Sequence, residues 1–143
     1  MKISTKGRYG LRALIDLAVN MDCENISIKA ISERQNISER YLEQIFSLLR
    51  KAGVIVGRKG AQGGYSFGKE ITELTILEIL KILEGDNIFI DINEKEENEL
   101  EDFVNKNLWK DINSIIENYF KSITLEDLVD NYKKSNDTLI YYI

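Results

Sequence analysis

Histidine is absent from this 143-residue chain, and cysteine occurs once, at Cys23. The first absence removes the commonest general base, the commonest zinc ligand and the side chain that switches charge near neutral pH. The second excludes an internal disulfide framework and fits a reducing, cytoplasmic setting. No apolar run approaches the ~18 residues that a membrane span needs. None follows Met1-Lys2 as the core of a secretory leader would. The glycine-rich stretch 57–64 lacks the Gly-Lys-Ser/Thr ending of a nucleotide-binding loop, and it joins two strand-like runs, not a strand and a helix. With no nucleophile beside a base, the expectation is a protein that is not an enzyme, with no metal site and no cofactor.

What the chain does have is charge, unevenly placed. The net value of −5 by itself speaks against nucleic acid. Residues 1–70, however, hold 12 Lys and Arg against 7 Asp and Glu, net +5, whereas residues 71–143 hold 7 against 17, net −10. Binding to phosphates follows the local field, not the total. A division into a basic DNA-binding part, 1–70, and an acidic part, 71–143, is expected.

The information is densest in Ser27–Gly64. Ser27 and Ser38 stand where N-caps belong. Ile26 with Ile31, and Ile37 with Leu42, have the spacing of hydrophobic staples. Between the two helices, Gln35-Asn36-Ile37 leaves room for a tight turn only, the helix-turn-helix arrangement. The second helix, Glu39–Lys51, buries Leu42, Ile45, Phe46 and Leu49. Opposite them stand Arg40, Glu43, Gln44, Ser47 and Lys51, with Arg50 on the flank. These groups suit a major groove, where Gln reads adenine, Glu accepts from cytosine and the cations take phosphates. An ordinary solvated helix back has the same polarity, and the face alone does not choose between them. Gly53 ends the helix. Val54–Val56 and Tyr65–Phe67 then read as strands of a hairpin with a basic, glycine-rich tip, a wing suited to backbone or minor-groove contact.

Around this unit, Thr5–Asn20 reads as a first helix burying Leu11, Leu14, Ile15 and Ala18. Lys2, Lys6, Arg8 and Arg12 gather at its start, where cations oppose the helix dipole unless a phosphate meets them and the helix-end amides. Ile71–Gly85 is the next helix, with Thr75 and Glu78 as a capping box. Asp86–Glu97 reads as an acidic loop. Asn98–Lys121 is the longest periodic segment, about 36 Å at 1.5 Å per residue. Its apolar residues, from Leu100 to Phe120, exceed what a small N-terminal unit can cover, so a second copy is expected to pack there as a homodimer. Thr124–Asn131 is a short last helix, Lys133–Thr138 a polar linker, and Leu139–Ile143 an apolar end. The fold class is mainly α: a winged helix-turn-helix with a small β-hairpin wing and a long C-terminal dimerisation helix.

Four stretches together, MKISTKGRYGLRAL, ISERYLEQIFSLLRKAGV, KGAQGGY and SITLEDLV, resemble the Rrf-two family of bacterial transcription regulators. The order and spacing hold over nearly the whole chain. The resemblance implies a homodimer acting on double-stranded promoter DNA. It carries DNA contact onto Lys6, Arg8, Ser38, Arg40, Tyr41, Glu43, Gln44, Ser47, Arg50, Arg58, Lys59 and Gly60. Many members hold an iron–sulfur cluster through three cysteines before the dimerisation helix, yet 86–106 contains none. The STKGRYG start, TLEDL and the Tyr-Ile end are closer to the cluster-free CymR-type branch, repressors of cysteine and sulfur metabolism genes. That branch implies cysteine synthase (O-acetylserine sulfhydrylase) as a partner, with Tyr142 and Ile143 as docking residues. Two other readings stay open: a protein-interaction module without sequence-specific DNA binding, and a thiol redox sensor acting through Cys23. The acidic neighbours Asp22 and Glu24 disfavour its thiolate.

Overall fold

The computed structural model describes residues 1–21, 25–61 and 63–141. Helix α1, Thr5–Val19, is followed by α2, Ile28–Gln35, and α3, Glu39–Lys51. Strands β1, Ile55–Arg58, and β2, Gly64–Phe67, form an antiparallel hairpin in which Ile55 pairs with Phe67 and Arg58 with Gly64. Helix α4, Ile76–Glu84, then runs into a 3-10 turn, Gly85–Ile88. The long helix comprises α5, Glu99–Val104, a π turn, Asn105–Trp109, and α6, Lys110–Ser122. Helix α7, Leu125–Tyr141, closes the chain. One apolar core joins α1, α2, α3, β1, α4, Ile88 and the first turns of α7. The chain is a winged helix-turn-helix carrying a long helix, as its pattern predicts.

The N-caps are as the sequence implies, but the Thr75–Glu78 box is made on one side only, the Glu78 carboxylate accepting from Lys69 Nζ. Ser27 accepts from the Ala30 amide, Ser38 from Tyr41 and Thr75 from Glu78. Thr124 and Asp127 bond reciprocally, at 2.9 and 3.1 Å. Helix α3 ends at Gly53 (φ 79°), where Gly53 N–H donates to Arg50 O and Val54 N–H to Leu49 O. That pair of bonds is a Schellman ending. The turn between α2 and α3 is made by Asn36 in the left-handed region, φ 55°.

Several expectations need correction. The buried face of α1 is Gly7, Gly10, Ala13, Leu14, Asp16 and Leu17, whereas Leu11, Ile15 and Ala18 are only half-buried. The predicted stripe was out of phase because the closest approaches are at glycines, which carry no hydrophobic signal. A Cβ on Gly10 would lie 2.3 Å from Leu83 Cδ1. Helix α4 starts at Ile76, not Ile71, since the preceding residues pair with the approach to α7: Leu125 N–H donates to Leu74 O and Ile76 N–H to Ile123 O, at 2.8 and 2.9 Å. The acidic loop is not wholly irregular, because Ile88 is fully buried and pulls Gly85–Ile88 into a 3-10 turn. Helix α7 runs on through the segment read as a linker. Lys133–Thr138 contains neither Gly nor Pro, so nothing there stops it.

The π turn is also absent from the sequence expectation. Lys110 N–H bonds Asn105 O, five residues back, and Asn107 Nδ2 reaches the Phe103 carbonyl at 2.8 Å. Apolar residues repeating at every fourth position drift by about 40° per step on a regular helix of 100° per residue. A wider turn takes back part of that drift over a long stripe.

A third pairing extends the wing. Tyr65 N–H donates to Ile26 O at 2.7 Å and Ile26 N–H to Tyr65 O at 3.0 Å. Gly64 (φ 145°) permits it, since a Cβ there would stand 2.7 Å from Ile26 O. Gly64→Ala is therefore expected to lower stability by about 2 kcal/mol through backbone strain, read by urea unfolding, with faster amide exchange at Ile26 and Tyr65. Unchanged exchange at both would show that the bridge does not depend on the glycine.

Candidate nucleic-acid interface

Helix α3 turns Leu42, Ile45, Phe46 and Leu49 into the core, with none of their surface exposed. Its opposite side is thereby fixed outward. Arg40, Glu43 and Gln44 are exposed, and Ser47 is half-buried. Lys6 from α1 comes alongside, so that Lys6, Arg40, Glu43, Gln44, Ser47 and Leu48 line one shallow depression. Ser38 spends its oxygen lone pair on the Tyr41 amide at 3.1 Å, leaving its O–H to donate outward. Arg50 is exposed in the last turn of α3, where a cation favours the helix dipole.

Tyr41 is less free than the other residues of this group. Its ring meets that of Tyr9 edge-on at 5.7 Å, and the Arg12 guanidinium lies 5.1 Å from the centre of the Tyr9 ring. Arg12 also donates to the Gln35 carbonyl at the end of α2. Arg12 and Tyr9 thus brace α3 against α1, a supporting role that the sequence did not disclose.

The wing is held to the same helix by Phe46 and Tyr65, whose rings meet edge-on at 5.0 Å. Arg58 ends β1, and Lys59 and Gly60 (φ 111°) stand at the tip, all exposed. Gln62 in the tip, Cys23, and the proposed docking residues Tyr142 and Ile143 lie outside the described residues. Among the described residues, no ion pair engages Lys6, Arg8, Arg40, Arg50, Arg58 or Lys59. Six cations on one half are thus outside any direct ion pair and have donors to offer a phosphate.

The start of α1 differs from expectation. Two of its amides are already engaged, because Glu84 Oε1 accepts from Ser4 N–H at 2.9 Å and from Gly7 N–H at 3.0 Å. Arg8 Nε donates to Ile3 O at 3.0 Å, pinning the segment before the helix. A phosphate at the helix end would meet that carboxylate.

Sequence reasoning also missed the buried Asp16. Its carboxylate accepts from Arg34 Nε at 3.0 and 3.2 Å, from the Arg34 terminal nitrogen at 2.7 Å and from Gln35 Nε2 at 2.9 Å. The bond to Asp16 raises the Arg34 pKa. An acid in the middle of an apolar helix face was the available signal.

This scaffold, the second helix of a helix-turn-helix exposed beside a basic hairpin, is that of a winged helix-turn-helix transcription regulator. The profile of the Rrf2 family, described as iron-dependent transcriptional regulators, matches residues 3–131. The chain belongs to that family. It is 38% identical, over the full length of both chains, to the HTH-type transcriptional regulator CymR of Bacillus subtilis. Among solved structures it is similar to CymR (YrzC), the global cysteine regulator of B. subtilis, with a TM-score of 0.79 and 40% identity over 92% of this chain and 98% of that one. It is also similar to IscR of T. potens, with a TM-score of 0.76 and 37% identity over 94% of this chain and 90% of that one.

The family description implies iron, and the donor set does not fit it. Thiolates hold iron–sulfur clusters, and this chain has one cysteine and no histidine. Among the described residues no group of three or more His, Cys, Asp or Glu is placed to hold a metal ion. No step of the proposed function runs through iron.

Proposed function

We propose that the chain is a homodimeric repressor of cysteine and sulfur metabolism genes that reads palindromic promoter DNA. The observation that carries DNA reading is the outward face of α3, Arg40, Glu43, Gln44 and Ser47, with Lys6 beside it and no ion pair neutralising its cations among the described residues. In this proposal Arg40, Glu43, Gln44 and Ser47 meet base edges, while Lys6, Arg8, Ser38, Tyr41 and Arg50 fix the helix on phosphates. Arg58, Lys59 and Gly60 bring the wing to the flanking minor groove. Residues 1–70 do the reading and 71–143 the pairing. The cysteine assignment rests on full-length similarity to CymR.

Pairing is supported by the long helix. Leu100, Phe103, Ile115 and Tyr119 expose 72, 61, 67 and 63% of their surfaces, and α6 buries no residue within the chain. Such a contiguous apolar stripe marks an interface, and a second copy supplies a matching one by two-fold symmetry.

A gel shift tests the proposal, with cysteine-gene promoter palindromes against scrambled duplexes over a range of salt. The promoter must win, and equal binding to both would make the chain an interaction module instead. Arg58→Ala should weaken operator binding and reduce the slope of log affinity against log salt by about 1. An unchanged slope would remove Arg58 from the interface. Purified cysteine synthase is a proposed partner, and its addition should change the shift.

A further inference from the structure

Glu84 stands at the end of α4, yet its carboxylate serves the beginning of α1. Its Oε1 accepts from Ser4 N–H at 2.9 Å, Ser4 Oγ–H at 2.7 Å and Gly7 N–H at 3.0 Å. Ser4 itself, the residue in the N-cap position, makes no side-chain cap bond to α1. The space for this contact comes from Gly7: a Cβ there would stand 2.2 Å from Oε1. The carboxylate also places negative charge at the helix end whose first turn carries Lys6 and Arg8, where cations alone are least favourable.

We infer that Glu84 is a positioning residue for DNA binding: by holding Ser4 and Gly7 it fixes the turn that presents Lys6 beside the reading helix. The inference rests on the DNA-binding function proposed above. Lys6 lies between the two residues Glu84 binds, and it shares the depression with Arg40, Glu43, Gln44 and Ser47. The amides of this turn would otherwise be the natural anion site of α1. Because the Glu84 carboxylate takes two of those donors and repels a second anion, a phosphate is taken by the Lys6 ammonium, at a place the cap sets. Glu84 also precedes Gly85–Ile88 and then Ile90, whose amide and carbonyl are both clasped by Asn113 of α6, at 2.8 and 3.0 Å. The same residue thus ties the Lys6 turn to the segment that enters the long helix.

The test uses the full-length protein and a duplex selected by it from random-sequence DNA. Glu84→Ala is expected to bind about tenfold more weakly, with the salt slope shallower by about 1, the signature of one lost phosphate contact. Glu84→Gln keeps Oε1 as an acceptor and should stay within about threefold of the parent. Gly7→Ala pushes the carboxylate out by another route and should resemble Glu84→Ala. The double variant should be no weaker than either single one, since both remove the same contact. If Glu84→Ala does not fold, Gly7→Ala and Glu84→Gln carry the same comparison. A folded Glu84→Ala or Gly7→Ala with parental affinity and slope overturns the role of Glu84 alone, as does simple additivity in the double variant. A parent chain that selects no sequence overturns the DNA-binding function and this inference with it.

Discussion

Changing both Ile115 and Tyr119 to glutamate is expected to leave a folded monomer that binds operator DNA at least ~100-fold more weakly, because bivalent engagement multiplies affinity by 10²–10⁴. Both side chains are more than three-fifths exposed in the single chain, so the protomer core does not depend on them. In a dimer the new carboxylates would stand on the pairing face of both copies, where like charges must lose water without a partner. Circular dichroism should be unchanged, while sedimentation equilibrium should report half the parental mass. A variant that stays dimeric would place the interface elsewhere, and a monomer with parental operator affinity would show that one copy suffices for reading.

The contrast with α4 explains why this effect should be large. Helix α4 buries Ile76, Leu77, Ile79, Leu80 and Leu83 within the chain. Helix α6 has a comparable apolar face and buries no residue fully, with Ile112, Ile116 and Phe120 only half-covered. Two helices of similar pattern thus have different fates, and sequence periodicity cannot separate them. Only the supply of surface to pack on does.

That distinction marks how far the chain could be read. Helix α3 was legible because Leu42, Ile45, Phe46 and Leu49 keep a clean helical spacing and its ends carry explicit signals, Ser38 and Gly53. The wing was legible from its glycines and its two strand-like runs. Helix α1 was misphased because packing there is set by what is missing at Gly7 and Gly10. The Ile26–Tyr65 bridge, the Glu84 cap and the Asp16–Arg34 pair link residues far apart in sequence, and no local spacing encodes them. The extent of α7 is not legible from composition, because Lys133–Thr138 is polar yet holds no residue that breaks a helix.

Arg34→Leu is expected to cost about 3 kcal/mol, the range for removing one partner of a buried ion pair, and to lower Tm by about 10 °C. Asp16 faces the core, its side chain only 2% exposed, whereas that of Arg34 is 38% exposed. Losing the arginine leaves a carboxylate inside the protein with Gln35 as its remaining partner. Losing the aspartate leaves a guanidinium that can turn to water. The order of effect follows: Arg34→Leu should be worse than Asp16→Leu, and the double variant should recover much of the loss, since an apolar pair carries no stranded charge. Raising pH will not imitate the arginine change. A cation whose pKa is raised in the folded state contributes stability below its unfolded pKa and loses it only as pH passes the folded value, which for Arg34 lies above the already high arginine range. Urea titrations of the three variants decide the matter. Equal, small losses for both single changes would mean that the pair adds little. The expected asymmetry would show that Asp16 locks α2 to α1 immediately before the turn into α3, so that its angle is set by a buried charge.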